Sequence, residues 1–298
     1  MKLRKNEYFC KKIHIIMILI ADSGSTKTDW CAVEGKEILK RVSTQGINPF
    51  HQDATTIRRI VSGELLTQFD GLQPDAVFFY GSGCREEKIP MVKEILTNAF
   101  ENATEIEVNG DLLGAARAVC GLKEGIACIL GTGSNSCLYD GKEIVDNIPP
   151  LGYILGDEGS GAVLGKMFVN EMLKNKALKD VRDDFFSLSR MDVGDIIERV
   201  YRQPQANKFL ASIAPFVGKH IDNPLVRNIV VENFRQFFQK NVKRYCRGEL
   251  SVGFVGSIAW HFKSELAVAA ELEAVRIGTI VKSPMDGLLA HHCGFDVQ

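Results

Sequence analysis

Two short turns rich in glycine, serine and threonine, each preceded by an apolar run, constrain the fold of this chain more than any other feature. Residues 13–21 lead into D-S-G-S-T-K-T-D, and residues 125–130 lead into G-T-G-S-N-S. Gly133 follows Gly24 after 109 residues, and a G-K-E-I segment comes shortly after each turn. The pattern predicts a duplicated unit made of strand, turn, strand, second turn and strand.

Turns of this composition suit an anion, because glycine lets backbone N–H groups approach closely and hydroxyl side chains add donors. A single Gly-Ser turn between two strands is commonplace. Two copies of this turn, one near the start of each half of the chain, predict two hairpins that bind one polyphosphate from opposite sides of a cleft. Neither copy has the G-x-G-x-x-G pattern of a dinucleotide site, and the sequence contains no Walker A loop.

The elements after each hairpin alternate between helix and strand, which favours an α/β fold. In the first half we expect strands at 76–80 and 104–109 and helices near 54–69, 88–101 and 111–120. In the second half we expect a mostly helical insertion at about 158–246, strands at 250–255 and 275–281, and helices at 258–272 and from 284. The predicted domains are 17–120 and 121–298, with an N-terminal extension at 1–16 and the final helix packing back on the first domain.

The composition of the chain limits the kinds of partner that it can bind and the cellular compartment in which we expect it. The chain has 298 residues, 45% of them hydrophobic and 24% charged, and its formal net charge is −1. Long disorder and a nucleic-acid partner are therefore disfavoured, and small molecules are favoured. The apolar run near the N-terminus is too short to span a membrane and lacks a cleavage site. The eight cysteines form no C-x-x-C pair and are interpreted as buried reduced thiols, so we expect a cytoplasmic protein without a membrane partner.

Asp111 is the leading candidate for catalysis. It stands where the strand at 104–109 ends and the helix at 111–120 begins. One interpretation is a helix N-cap, for which aspartate is a preferred residue. The other is a general base, because the carboxyl ends of strands in an open α/β sheet face the ligand crevice. Both roles are compatible with one position.

Two further acids are candidates for ligand binding. Asp22 ends the first strand beside the first turn, where a carboxylate can hold Mg²⁺ through water. Asp157 lies in the glycine-dense segment L-G-Y-I-L-G-D-E-G-S-G, which suits a loop that wraps a polyhydroxylated ligand. Asx turn formation and the positive end of a helix dipole explain these two acids without a ligand. The role of the adjacent Glu158 stays open.

Two loops are predicted to open on the same side of the cleft as Asp111. Q-G-I-N-P-F (45–50) contains Asn48, and Y-G-S-G-C (80–84) contains Ser82 and Gly83. Both segments are also ordinary turn sequences. If they face the ligand, these three residues contact the substrate.

Six motifs occur in order along the chain: D-S-G-S-T-K-T, G-S-G, G-D-L-L-G-A-A-R-A, L-G-T-G-S-N, G-D-E-G-S-G and V-G-S. On these motifs the chain resembles the BadF/BadG/BcrA/BcrD-type ATPases, and within that group the N-acetylglucosamine kinase-like proteins. The resemblance runs from Met17 to the end. It implies a duplicated ribonuclease H-like (actin-like ATPase) fold, in which two domains enclose a nucleotide cleft.

The resemblance also implies a site and a reaction. The residues that match ATP-binding positions are Gly24, Ser25, Thr26, Lys27, Gly131, Thr132, Gly133, Gly256 and Ser257. Those that match hexosamine contacts are Asn48, Asp111, Ser134, Asn135, Gly152 and Asp157. Asp111 takes the position of the base and Asp22 that of an acid that positions Mg²⁺. The implied activity is ATP-dependent phosphorylation of an amino sugar, with N-acetylglucosamine as the substrate and its 6-hydroxyl as the acceptor. The implied fold is compatible with a homodimer.

Other functions stay open at this point. The chain has P-L-G around Leu151 where the animal enzyme has G-W-G, and G-S-T in the first loop where that enzyme has G-G-G-T. The first change alters a wall of the sugar site, so another amino sugar, such as glucosamine or N-acetylmuramic acid, is an alternative. A second alternative is an ATP-driven activator of a dehydratase or reductase, whose iron–sulfur cluster would be bridged between subunits. A third is a nucleotide or sugar sensor without catalysis.

Overall fold

Two five-stranded sheets with the same topology form the framework of the protein. The computed structural model describes residues 16–24, 26–69 and 71–295. The first sheet has the order β3-β2-β1-β4-β5, with β1 (Met17–Ser23), β2 (Lys27–Glu34), β3 (Glu37–Gln45), β4 (Ala76–Gly81) and β5 (Glu105–Gly110). The second has the order β10-β9-β6-β7-β8, with β6 (Gly125–Leu130), β7 (Ser134–Tyr139), β8 (Ile144–Asp146), β9 (Val252–Val255) and β10 (Ile277–Val281).

The strand directions confirm the predicted duplication. In each sheet the first three strands form an antiparallel meander, and the last two run parallel to the first. The α/β fold in two domains is therefore confirmed. Apart from Ile16, the extension predicted at 1–16 lies outside the described residues.

Three helices accompany the first sheet: α1 (Ala54–Ile60), α2 (Ile89–Ala99) and α3 (Asp111–Cys120). Asp53 caps α1 by accepting a hydrogen bond from the Thr56 N–H at 2.8 Å. The helix predicted near 54–69 is confirmed, although it continues past α1 as a π-helical turn (Val61–Leu65) and a 3₁₀ turn (Leu66–Gln68). The helix predicted at 111–120 has these same bounds in the structure.

The predicted insertion consists mainly of helices. A short helix, α4 (Gly152–Leu155), precedes it, and its own helices are α5 (Gly161–Lys174), α6 (Lys179–Ser189), α7 (Val193–Tyr201), α8 (Ala206–Ala211), α9 (Ala214–Lys219) and α10 (Pro224–Lys240). Two 3₁₀ turns lie at Lys176–Leu178 and Val242–Tyr245. The chain then forms α11 (Ser257–His261), α12 (Lys263–Leu272) and α13 (Met285–Cys293), so the single helix predicted at 258–272 is divided in two.

The insertion and the second sheet share one hydrophobic core. Phe234, Phe237 and Phe238 on α10 are fully buried and pack with Phe254 of β9 and Phe168 of α5. Burial of an aromatic side chain contributes about 1.5–3 kcal/mol relative to exposure. The insertion is therefore an integral part of the second domain.

The last helix of each half crosses to the opposite sheet. α3 follows β5 of the first sheet, yet its Ala116 packs with Ala127 and Cys137 of the second sheet. α13 follows β10 of the second sheet, yet its Leu288 packs with Ile20 and other residues of the first sheet. These two helices contact each other and tie the two domains together behind the cleft.

His292 on α13 lies in an aromatic environment on the first sheet. Its ring stacks on Phe78 with the centroids 4.0 Å apart, and its Nε2 lies 2.8 Å from the Tyr80 hydroxyl. Burial lowers the pKa of His292 to about 3, and the neighbouring His291 and Arg117 lower it further. The ring is therefore neutral in the folded protein over most of the acidic range.

We expect His292 to make the folded protein less stable as the pH falls from about 6.5 towards 3. In this window the unfolded chain binds a proton that the folded chain excludes, so the free energy of unfolding falls by up to about 1.4 kcal/mol per pH unit. Urea unfolding at a series of pH values measures this slope. His292→Gln should reduce the slope by close to one proton. Equal slopes in the wild type and His292→Gln would rule out this contribution.

The cysteines of the described ranges are free thiols. Cys31, Cys84, Cys128 and Cys137 are buried, as expected. The expectation is wrong for Cys246, which is exposed because it follows the 3₁₀ turn at the end of the insertion. Separately, none of the helices in the described part of the chain combines the length and the apolar character needed to cross a bilayer.

Candidate active site

A cleft of about 740 Å³ lies between the two sheets, at the carboxyl ends of their parallel strands. Asp22 at the end of β1, Ser82 after β4 and Asp111 after β5 line one side. Gly131 after β6 and Gly256 after β9 line the other. The remaining predicted residues on its surface are Gly24, Thr26, Lys27, Thr132, Gly133, Ser134 and Asn135.

The first turn is held from behind by a buried network of hydroxyl groups. Ser23 Oγ lies 2.6 Å from Thr28 Oγ1 and donates to the carbonyl oxygen of Ile47 at 2.9 Å. The N–H of Ile47 donates back to Ser23 Oγ at 3.0 Å. The Gly24 N–H closes the turn by donating to the Lys27 carbonyl at 3.0 Å. Ser25, predicted to bind phosphate, lies outside the described residues.

Gly46 packs directly against the first turn. A Cβ at this position would lie 2.4 Å from the Gly24 oxygen, 2.7 Å from the Thr26 nitrogen and 2.8 Å from the Lys27 nitrogen. All three are backbone atoms, so they cannot move aside as a side chain could. The backbone of the turn can therefore occupy its position only when residue 46 is glycine.

The second turn is anchored to the start of α5. The N–H groups of Gly161 and Ala162 donate to the carbonyl oxygens of Gly131 and Thr132, at 2.8 Å and 3.1 Å. Ser160 caps the helix by accepting from the Val163 N–H. The insertion thus begins by fixing one of the two turns at the cleft.

Asp111 is the first residue of α3 and is partly buried. Gly110 holds the N-cap position, so the N-cap interpretation of Asp111 is wrong. Ser82 Oγ donates to Asp111 Oδ2 at 2.5 Å. Burial raises the pKa of Asp111, although hydrogen bonds from Ser82, the Leu112 N–H and its own N–H oppose this. A carboxylate whose pKa is raised in a cleft is suited to accept a proton.

The acids at one side of the cleft, Asp22, Asp29 and Asp111, lie close enough for Asp22 to be repelled by the other two. Burial raises the pKa of Asp22 to about 7, and repulsion from Asp111 and Asp29 adds to this, while Lys27 lowers it. Lys27 Nζ pairs with Asp29 Oδ2 at 2.8 Å. A divalent cation in the cleft would relieve the repulsion, so these residues fit one. No group of three metal-ligating side chains is preformed within the described ranges, which favours a cation held largely by water and phosphate.

Asp157 lies behind the second turn and does not line the cleft. Its carboxylate accepts the N–H groups of Gly152 and Ser134, and a Cβ on Gly133 would lie 3.0 Å from its Oδ2. Burial raises the pKa of Asp157 to about 6, and Glu158 contributes in the same direction, while the two N–H groups oppose it. Asp157 therefore joins the second turn to the start of α4.

Glu158 points to α10 and forms an ion pair with Lys240 at 2.9 Å. Burial opposes ionisation of Glu158, yet the hydrogen bond from Lys240 prevails and lowers its pKa. This contact gives Glu158 a structural partner in the insertion.

Asn48 and Gly83 lie together on the rim of the first domain. Asn48 is buried, and its Oδ1 accepts the Phe50 N–H at 3.1 Å. A Cβ on Gly83 would lie 2.1 Å from that oxygen, so the two loops can meet only with glycine at 83. Asn48, Gly83, Gly152 and Ser257 do not line the 740 Å³ cleft.

Several residues of the cleft were not predicted from the sequence. The polar ones are Ser23, Asp29, Asn207, Lys208, Lys282 and Ser283. Lys282 follows β10, and the rule that strand ends face the ligand could have found it. Asn207 and Lys208 belong to the short helix α8 of the insertion, where no motif marks them.

No protein-family model matches this chain, and no curated protein matches it. Among solved structures it is similar to a candidate N-acetylglucosamine kinase from Porphyromonas gingivalis, with 46% identity and a TM-score of 0.87. The match covers 94% of this chain and all of that one.

Two more distant structures support the fold alone. A candidate N-acetylglucosamine kinase from Chromobacterium violaceum is 19% identical with a TM-score of 0.69, and the match covers 93% of this chain and 99% of that one. The ROK hexokinase from Thermus thermophilus is 14% identical with a TM-score of 0.53, over 94% and 96% of the two chains. The chain has the actin-like ATPase fold and belongs to the same protein family as the Porphyromonas gingivalis protein.

Proposed function

We propose that this protein is an ATP-dependent kinase that phosphorylates an amino sugar, with N-acetylglucosamine as the leading substrate and its 6-hydroxyl as the acceptor. The position of Asp111 carries the proposal. Its carboxylate lies at the carboxyl end of β5, in a cleft whose two sides carry the glycine-rich turns. The similarity to the Porphyromonas gingivalis protein supports the choice of sugar.

The two turns would hold the phosphates of ATP from opposite sides. Backbone N–H groups around Gly24 and Gly133 can approach an anion closely because neither residue carries a side chain. Gly256 has a φ of 125°, and the nucleoside would pack against its backbone at the end of β9. A Cβ there would lie 2.3 Å from the Leu130 oxygen.

Asp111 would accept the proton of the sugar hydroxyl while the oxygen attacks the terminal phosphorus of ATP. The bond from phosphorus to the bridging oxygen breaks, and ADP leaves with the electron pair. Asp22 and Asp29 would hold Mg²⁺ through water beside the phosphates. Mg²⁺, when bound, neutralises charge on the transferring group. Closure of the two domains would exclude water from the reaction.

The activator alternative is disfavoured by the state of the thiols at the second sheet, Cys120, Cys128 and Cys137. A bridging iron–sulfur cluster needs thiolates at an exposed interface. Cys128 and Cys137 lie inside the second sheet, fully buried. Burial raises the pKa of Cys120 to about 11 and that of Cys137 to about 12, so both resist ionisation.

ADP release from MgATP across a panel of sugars tests the proposed function. The panel contains N-acetylglucosamine, N-acetylmannosamine, N-acetylmuramic acid, glucosamine and glucose. We expect release that depends on one amino sugar, with N-acetylglucosamine the first choice and little release without sugar. Phosphorus–proton NMR of the product identifies the phosphorylated hydroxyl. ATP binding without stimulation by any sugar would contradict a kinase and favour a sensor.

A further inference from the structure

We propose that Ser82 is a positioning residue: its hydroxyl group holds the carboxylate of Asp111 in one orientation toward the cleft. This inference rests on the proposed function, because it takes Asp111 as the base. Ser82 Oγ donates to Asp111 Oδ2 at 2.5 Å, and both residues line the cleft. A hydrogen bond to a carboxylate is shorter and stronger than one between neutral groups.

Ser82 is itself fixed by the sheet. It follows β4, the strand that lies between β1 and β5. Gly81, the last residue of β4, pairs with Ser23 on one side and Gly110 on the other. The Ser82 N–H then donates to the Ser23 carbonyl at 2.8 Å. A rigid backbone therefore holds the Ser82 hydroxyl group next to Asp111, the residue that follows Gly110.

The N–H groups of Leu112 and Asp111 also bond the Asp111 carboxylate, and the Ser82 hydroxyl adds a side-chain donor that opposes two sources of movement. The terminal torsion of an aspartate side chain is broad, so the carboxylate rotates unless hydrogen bonds fix it. Asp22 also faces it with a charge of the same sign. The Ser82 hydroxyl supplies a directed donor on the side of β4. A base that is misplaced by about 1 Å can lose about a hundredfold in rate.

Ser82→Ala tests the inference by separating kcat from KM. We expect kcat to fall roughly tenfold, while the KM values for ATP and sugar change by less than about twofold. A residue that merely stabilises the fold would not give this split. Ser82→Thr keeps the hydroxyl and should restore kcat to within about threefold of wild type. Thermal unfolding of each variant verifies that the fold is intact.

A double variant distinguishes positioning from direct contact with the substrate. If Ser82 acts through Asp111, Ser82→Ala should slow Asp111→Asn by less than about twofold, because the group it positions is already lost. A raised KM for sugar with an unchanged kcat would overturn the inference and make Ser82 a substrate contact. An equal loss from Ser82→Ala in both backgrounds would overturn it too.

Measuring ADP release by the wild type distinguishes a failure of this inference from a failure of the proposed function. No sugar-dependent ADP release by the wild type would overturn both. Sugar-dependent release by the wild type, with full kcat in Ser82→Ala, would overturn the role of Ser82 alone.

Discussion

Asp111→Asn is expected to lower kcat by at least about a hundredfold, because a positioned general base is typically worth about 10²–10⁴-fold in rate. The amide has nearly the shape of the carboxylate but cannot accept the proton of the sugar hydroxyl. Affinity for ATP should change little, because the turns around Gly24 and Gly133 stay in place. Steady-state kinetics with ADP release measures kcat, and calorimetric titration with ATP measures the affinity.

Asp53→Asn is the matched control for this variant. Asp53 also stands at the start of a helix in the first domain, where it accepts the Thr56 N–H at 2.8 Å. Asparagine caps helices as well as aspartate does, so both stability and kcat should be preserved. Full activity in Asp111→Asn would remove Asp111 from the mechanism. A loss of similar size in both variants would point to a general effect of replacing acids.

The sequence was sufficient to predict the parts of the fold that are encoded locally. The two turns, with their apolar runs before them, predict hairpins at Gly24 and Gly133, and both hairpins are present. Asp111 could be placed in the cleft because it follows a strand, and the carboxyl ends of strands face the ligand. The helix predicted at 111–120 has the bounds of α3.

The parts of the site that depend on distant contacts could not be predicted in the same way. Asp157, in the loop between α4 and α5, accepts the N–H of Ser134 at the start of β7, and no spacing signals that contact. Lys208 reaches the cleft because the insertion folds against the second sheet. Asp111 lies at the end of β5, but its contact with Ser82 depends on the register between β4 and β5, which no local pattern encodes.

The position of Gly46 shows that a residue can control the site without facing the ligand. It lies on the far side of the first turn, where its missing side chain leaves room for the turn's backbone. Its φ is outside the positive range, so alanine is compatible with its conformation. Any effect of Gly46→Ala must therefore come from the added methyl group and its contacts.

Gly46→Ala is expected to raise the Kd for MgATP by about tenfold or more, because the new Cβ must displace backbone atoms of Gly24, Thr26 and Lys27. Overpacking costs about 1–3 kcal/mol, and about 1.4 kcal/mol corresponds to tenfold in affinity. Gly63→Ala adds the same methyl group at an exposed position of the first domain with no atom within 4 Å, and should leave the Kd unchanged. Calorimetric titration of both variants, with their melting temperatures, compares binding and stability directly. If Gly46→Ala bound MgATP as tightly as Gly63→Ala, the first turn could not be a phosphate-binding loop of fixed geometry.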